Sequence, residues 1–192
     1  MMKPKIIAIA GPNGAGKSTL APFLLRDAFG VMDYVNADTI AEGLSAFEPQ
    51  GAAIEAGRVM LRRMRNLIEQ RKTFAFESTL SGRTPARWID LAKREGFEFH
   101  LLFLRLESEE LAIERVAERV RRGGHDVPED VIRRRYRLGI RNFFEMYQPQ
   151  ADEWMMYDTS LSESDLIAAG RGNNVSTVYK RDKWQKICEE LK

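Results

Sequence analysis

The apolar, largely β-branched run Ile6-Ile7-Ala8-Ile9-Ala10 passes straight into Gly11-Pro12-Asn13-Gly14-Ala15-Gly16-Lys17-Ser18-Thr19. An apolar run this short, ended by Gly and Pro, reads as a strand buried on both faces of a parallel sheet. Residues 11–18 fit G-x-x-x-x-G-K-[ST], in the strand-loop-helix setting that motif needs. The glycines let the backbone turn its N–H groups inward as a cradle for phosphate oxygens. The helix beginning near Lys17 points its positive end at the same oxygens. Gly11, Pro12, Asn13, Gly14, Ala15, Gly16, Lys17, Ser18 and Thr19 are thus the expected nucleotide-binding loop. Lys17 would reach the β- and γ-phosphates, and Ser18 would ligate Mg²⁺. Pro22 should strain or kink the helix soon after it starts. There is no Asn-Lys-x-Asp guanine-reading motif, so ATP is the expected nucleotide.

The rest of the chain supplies the frame for such a loop. Short strands are expected at Tyr34-Val35-Asn36, Phe74-Ala75-Phe76, Phe99 to Leu106 and Trp154 to Tyr157. Between them lie helical patterns. The clearest runs from about 50 to 71, with Ala53, Ala56, Met60, Met64 and Leu67 on one face. Thr84-Pro85 reads as a cap followed by a first-turn proline, with Gly96 at that helix's end. Ser108 reads as a second cap, ahead of Glu109 and Glu110. Pro128 starts a helix that runs to about Tyr147. Leu166–Ala169 and Val175–Tyr179 suggest a hairpin, and Trp184 to Leu191 a short final helix. Strands alternating with helices imply an α/β fold, a five-stranded parallel sheet covered on both faces. Its ligand site would lie at the carboxyl ends of the strands.

Composition sets the outer limits. The chain has 192 residues, 44% of them hydrophobic, and a formal charge of +2 from 30 Lys+Arg and 28 Asp+Glu. That is one globular domain over 1–192, able to bury roughly 70% of its unfolded surface. Cys188 is alone, which excludes an internal disulfide and a Cys-based metal cluster. No apolar run approaches the roughly 18 residues of a membrane span. The apolar run before Gly11 is too short for a signal-peptide core. A cytoplasmic protein without a membrane partner is expected.

Acids stand at two strand ends. Asp38, after Val35-Asn36-Ala37, can be a helix cap. Thr39-Ile40-Ala41-Glu42 is, however, a capping box in itself. If Thr39 caps, Asp38 is free to accept a substrate hydroxyl proton or hold a Mg²⁺-bound water. Glu77 emerges at the rim after Phe76, either as a solvated acid or to hydrogen-bond a substrate hydroxyl or amide. Thr79 belongs to the same candidate substrate contact. The fourth strand ends in Leu104-Arg105-Leu106 with no acid, which leaves the metal to Ser18, phosphates and water.

Between Arg115 and Arg141 there are nine Arg, no Lys and four acids. That stretch is net +5 and leaves −3 for the remainder. Arg115, Arg119 and Arg122 share one helix face, and Arg119 has no opposite charge at i±3 or i±4. An arginine face of this kind is a nucleic-acid patch, a solvated surface, or a phosphate site. Arg119 and Arg135 are the expected inward-facing members, neutralising charge on a phosphoryl group in flight. No aromatic residues interleave with Arg119–Arg122 as a stacking platform, which disfavours nucleic acid as partner. His125, in the Gly-Gly break, either contacts phosphate or is a surface residue.

The ordered set Gly11–Thr19, Asn36-Ala37-Asp38, Phe76-Glu77-Ser78-Thr79 and Arg119 to Pro128 resembles the zeta-toxin family. It is nearest the short stand-alone branch labelled a predicted ABC-type ATPase. The resemblance implies a P-loop kinase core that transfers the ATP γ-phosphate to a hydroxyl of a UDP-sugar, UDP-N-acetylglucosamine. It implies Lys17 on the phosphates, Ser18 on Mg²⁺, Asp38 as base and Glu77 toward the sugar. Lid arginines, here Arg119 and Arg135, would meet the transferring phosphate, with a lid over about 119–128 and an antitoxin as partner. Family toxins are longer, with carboxy-terminal structure on the substrate side. In this chain residues of about 160–192 are only a small appendage. Two other readings remain open: a kinase for another metabolite, nucleotide or nucleic-acid end, and an ATP-binding switch or nucleic-acid-binding ATPase.

Overall fold

The computed structural model describes residues 3–23, 25, 30–45, 51–161 and 163–190. Strand β1 (Lys5–Ala10) is the middle of the frame, and Ile6 to Ala10 are fully buried. It pairs in parallel with β3 (Phe74–Ser78) on one side and β4 (Glu98–Arg105) on the other. Outside these lie β2 (Tyr34–Val35) and β5 (Glu153–Asp158), also parallel. The five parallel strands expected from the sequence are present. The expected hairpin is present too, as β6 (Asp165–Arg171) and β7 (Asn174–Val178). It is not a separate appendage. It pairs antiparallel along β5 and extends the same sheet to seven strands, in the order β2-β3-β1-β4-β5-β6-β7.

Helices cover both faces. Helix α1 (Lys17–Pro22) and α5 (Glu109–Arg121) pack on one face, over Ile7, Ile9, Leu102 and Leu104. Helix α3 (Ala53–Glu69), α4 (Thr84–Arg94) and the last helix, α7 (Arg181–Glu189), pack on the other, over Ile6, Ala8, Phe74 and Phe99. The helix after β1 and the helix after β3 therefore leave on opposite faces. In an open parallel sheet that divergence opens a crevice at the carboxyl ends of the two strands.

Helix α6 (Glu129–Asn142) bridges the two faces at that edge. Ile132 near its start is buried in the α1/α5 layer, and Phe143 just past its end in the α3/α4 layer. The middle of α6 therefore passes over the strand ends. The helix expected to reach about Tyr147 changes at residue 143 into a π-helical turn, Phe143–Tyr147. Phe143 sits at the centre of an aromatic cluster, with ring centroids 4.9 Å from Phe103 and 5.8 Å from Trp154. Trp154 in turn stacks on Trp184 of α7 at 5.9 Å, so one cluster ties α6, the sheet and the C-terminal helix together.

Local signals were mostly legible, with adjustments. Ser108 caps α5 as expected, its Oγ accepting from the Leu111 N–H. Thr84 is not a cap but the first residue of α4. The helix expected from about 50 begins at Ala53, and Gln50 and Leu191, two expected helix ends, lie outside the described residues. The regular turns of α1 end at Pro22 after six residues, where strain or a kink is expected of a proline, while Phe23 beyond it keeps a helical backbone (φ −67°, ψ −47°). No described helix is long and apolar enough to cross a membrane.

The aromatic cluster makes a prediction. Phe143→Ala removes a fully buried ring from the point where three elements meet. It should cost about 4 kcal/mol of unfolding free energy in urea titration; a loss under about 1 kcal/mol would show that the cluster does not tie these elements together.

Candidate active site

The loop after β1 is held from three sides before any ligand is considered. Gly11 N–H donates to the Ser78 carbonyl of β3 at 3.1 Å. On the β4 side Gly11 lies so close that a Cβ would be 2.2 Å from the Leu104 carbonyl oxygen, and its φ is 145°. No other residue fits that contact. Beneath the loop, Thr159 Oγ1 donates to the Ala15 carbonyl at 3.1 Å. Thr159 is itself held by Arg115, whose guanidinium donates to the carbonyls of Thr159 (2.7 Å) and Ser160 (2.8 Å). Neither Thr159 nor the bracing use of Arg115 had a signal in the sequence. Both depend on β5 ending beside the loop.

Lys17, the first residue of α1, is buried with its Nζ donating to the Pro12 carbonyl at 2.9 Å. Glu77 Oε1 lies 3.7 Å from it. Burial pushes the Lys17 ammonium below the ordinary lysine range, Glu77 and Asp38 oppose that, and Arg119 and Arg135 add to it. A buried ammonium at the mouth of a phosphate cradle is a group that an anion would stabilise.

Glu77 is more involved than its place at a strand end suggested. Its Oε2 accepts from Ser18 Oγ (2.9 Å), Tyr34 Oη (2.6 Å) and Asn36 Nδ2 (2.9 Å). It therefore bonds the hydroxyl expected on the metal. The fourth strand has no acid at its end, as the sequence showed. The acid beside the phosphate loop is supplied by β3 instead, because β3 and not β4 lies on the α1 hydroxyl's side. Tyr34 was not foreseen. Burial, then Glu77, drives its phenol well above the ordinary range, so it stays a proton donor to the carboxylate.

Asn36 also changes the account of Asp38. The cap of helix α2 (Ala37–Leu44) is Asn36, not Thr39: its Oδ1 accepts from the N–H groups of Asp38 (2.8 Å) and Thr39 (3.4 Å). An Asn before an apolar-periodic segment was the readable signal. The outcome for Asp38 is the one anticipated through a different residue. It lies in the first turn with its cap already supplied, exposed at the cleft rim.

A cleft of about 180 Å³ collects these groups. Asn13 and Lys17 line it from the phosphate loop, Asn36 and Asp38 from the start of α2, Glu77 and Thr79 from the end of β3, and Arg135 from α6. Burial lowers the Arg135 pKa and the Asp38 carboxylate offsets that, so the two are electrostatic partners across the cleft. Arg119 does not line it. It borders a neighbouring hollow with Arg115, Glu118, Arg122 and Gly124, and its Nη2 donates to the His125 carbonyl at 2.6 Å. Among the described residues, Asn13 Oδ1 and Arg119 Nε are buried polar atoms without a hydrogen-bond partner. A buried polar atom left so costs free energy that a ligand can recover.

Most other arginines of the 115–141 stretch are occupied. Arg122 pairs with Glu118. Arg133 pairs with Glu109, Glu110 and Glu129, and Arg137 with Glu109, fastening α6 to the start of α5. The pairs of Arg133 and Arg137 with Glu109 and Glu110 run between helices adjacent in space, which a within-helix count of i±4 neighbours cannot show.

The site also offers a fit for Mg²⁺. Mg²⁺ takes one or two protein oxygens and fills its octahedron with water and phosphate. Ser18 Oγ and Glu77 Oε2, 2.9 Å apart beside the phosphate cradle, are such a pair. Among the described residues no three His, Cys, Asp or Glu form a closed metal cage. Glu77→Gln should therefore raise the Mg²⁺ concentration for half-maximal nucleotide binding by about tenfold and leave metal-free nucleotide binding intact, read by titration with and without EDTA. Unchanged Mg²⁺ dependence with a raised acceptor KM would return Glu77 to the substrate-side role.

Comparison with known proteins bears on the family and the fold. Residues 6–138 match the AAA domain family (AAA_33). An uncharacterized protein of Haemophilus influenzae is 36% identical over 136 residues, 71% of this chain and 95% of that protein. The crystal structure of AvrRxo1-ORF1:-ORF2 with ATP superposes at a TM-score of 0.75 and 19% identity, covering 96% of this chain. This chain spans only 63% of that one. A structure from the PezAT chromosomal toxin-antitoxin system of Streptococcus pneumoniae superposes at 0.64 and 16% identity, over 100% of this chain and 88% of that one. At these identities the superpositions speak for the fold, which is the zeta-toxin-like P-loop kinase fold that the motifs resemble. The chain belongs to the AAA domain family, whose match takes in β1, the loop after it and α6 up to residue 138.

Proposed function

We propose that this protein is an ATP- and Mg²⁺-dependent phosphotransferase that moves the γ-phosphate to a hydroxyl of a UDP-sugar such as UDP-N-acetylglucosamine. The observation that carries the reading is the convergence of Lys17, Asp38 and Arg135 on one cleft from three separate segments. A bare ATP-binding switch needs the loop and Lys17. It does not need a carboxylate and a guanidinium set against each other beyond them.

In this reading the loop N–H groups and Lys17 bind the β- and γ-phosphates. Ser18 and Glu77 would hold Mg²⁺, which when bound offsets phosphate charge. Asp38 takes the proton of the acceptor hydroxyl as its oxygen attacks the γ-phosphorus. The bond from that phosphorus to the bridging oxygen of ADP breaks in line. Arg135 offsets charge on the equatorial oxygens during transfer. Arg119 joins it when the stretch of about 119–128 closes as a lid and excludes water, and its unpartnered Nε supplies a donor. Thr79 lines the acceptor side. The chain acts as one domain over 1–192, and a cytoplasmic setting suits an ATP-using enzyme. An antitoxin-type partner belongs to the same reading, since the two solved relatives are described with partner chains. A nucleic-acid role is disfavoured because ion pairs and carbonyl contacts already use Arg115, Arg122, Arg133 and Arg137.

Two measurements test this. Asp38→Asn should lower phosphate transfer by about 10² to 10⁴-fold with ATP binding retained; an active variant removes the base assignment. With labelled ATP and a panel of acceptors, UDP-N-acetylglucosamine should give product that Lys17→Ala abolishes. If another hydroxyl compound is phosphorylated and the UDP-sugar is not, the acceptor assignment fails and the phosphotransferase stands.

A further inference from the structure

Helix α6 carries Arg135 to the cleft, and among the described residues no hydrogen bond or ion pair holds its guanidinium there. Its partners are electrostatic, Asp38 by attraction and Arg134 by repulsion. Its position therefore depends on the helix, which Arg133 and Arg137 clamp to α5 around it and which a second set of contacts fixes further along. One turn after Arg135, Gly139 lies against the turn after β3, where a Cβ would be 2.5 Å from the Thr79 carbonyl oxygen. Only a residue without a side chain allows that approach. Three residues on, Asn142 is 4% exposed, and its Nδ2 donates to the Leu80 carbonyl at 2.6 Å. At the end of the π-helical turn, Tyr147 Oη donates to the Gly82 carbonyl at 2.6 Å. The turn they grip is under strain: Leu80 is fully buried at a φ of 54°, a left-handed conformation that a leucine rarely adopts. Such strain persists where surrounding contacts over-determine it, and it gathers at sites that need a fixed geometry.

We propose that Asn142, aided by Tyr147, is a positioning residue for Arg135. It locks α6 onto residues 79–82, so that Arg135 stands over the cleft before substrate arrives. The grip also joins Arg135 to Thr79, because the carbonyl that Gly139 touches belongs to a residue lining the same cleft. Arg119 is held differently, through the His125 carbonyl of the loop after α5, and moves with that loop. One arginine is thus fixed to the scaffold and the other to the lid.

This rests on the phosphotransferase reading for the role of Arg135, and the test separates the two. The readout is the ratio of ADP to ATP dissociation constants, which reports γ-phosphate contact without turnover. Arg135→Ala should lower that ratio about tenfold. Asn142→Ala should lower it about threefold alone and less than about 1.5-fold when added to Arg135→Ala, since a latch has nothing left to position. The kcat for ATP turnover should show the same pattern, with ADP affinity unchanged. Tyr147→Phe, which removes only a hydroxyl, should show the same non-additivity at about twofold, and it carries the test if Asn142→Ala does not fold. Equal losses with and without Arg135, or an unchanged ratio in a folded variant, overturn the latch. A wild-type protein that shows the ratio pattern but transfers phosphate to no acceptor overturns the phosphotransferase reading and leaves the latch standing.

Discussion

The ammonium of Lys17, buried at the end of β1, sets the terms for everything around it. A buried cation without a partner is costly, and the group lowers its own pKa when it cannot be satisfied. Here Glu77 lies 3.7 Å away and Asp38 contributes from farther off, while Arg119 and Arg135 work against both. Burial is the largest cause, and the net direction is downward. Glu77 gives its Oε2 to Ser18, Tyr34 and Asn36 and has only Oε1 toward the lysine. A polyphosphate is the ligand that would supply further negative charge, and the cradle of N–H groups around it asks for the same.

The arginines divide along a physical line. Those that find carboxylates or carbonyls brace the frame: Arg133 and Arg137 clamp α6 to α5, and Arg115 holds the 159–160 segment under the phosphate loop. Among those for which the described residues supply no such partner, Arg135 lines the cleft, and the Nε of Arg119 is buried beside it. A near-neutral chain thus contains a local surplus of positive charge where a phosphoryl group would need it. The position of that surplus is set by α6, which crosses the strand ends because its first residues are buried on one face of the sheet and its last on the other.

Legibility in the sequence tracked the range of the interactions. Features decided within a few residues could be read: the form of the phosphate loop, the Ser108 cap, and the apolar face of α3 from Ala56 to Leu67, although Ala53, read as part of that face, is exposed. Arg135 could be read because it borders the apolar stripe of its own helix. Asp38 was read as free of capping through the wrong residue, since a capping box at Thr39 and an Asn cap at Asn36 look alike until the backbone turn between them is known. Glu77 was legible as a rim acid but not as the partner of Ser18, 59 residues away. Tyr34 carried no signal at all, because its role exists only through Glu77.

The sequence by itself determined that β1 is buried, that the loop after it has the form of a phosphate cradle, and that strands and helices alternate around it. Those outcomes come from local backbone chemistry and short-range periodicity, which hold in any context. Only the tertiary structure decided which acid meets the Ser18 hydroxyl, which arginines remain unoccupied, and that the hairpin continues the sheet. Each of these is a matter of which strand lies next to which. That order is fixed by burial over the whole chain, with contacts between residues far apart in sequence, and no local pattern encodes it.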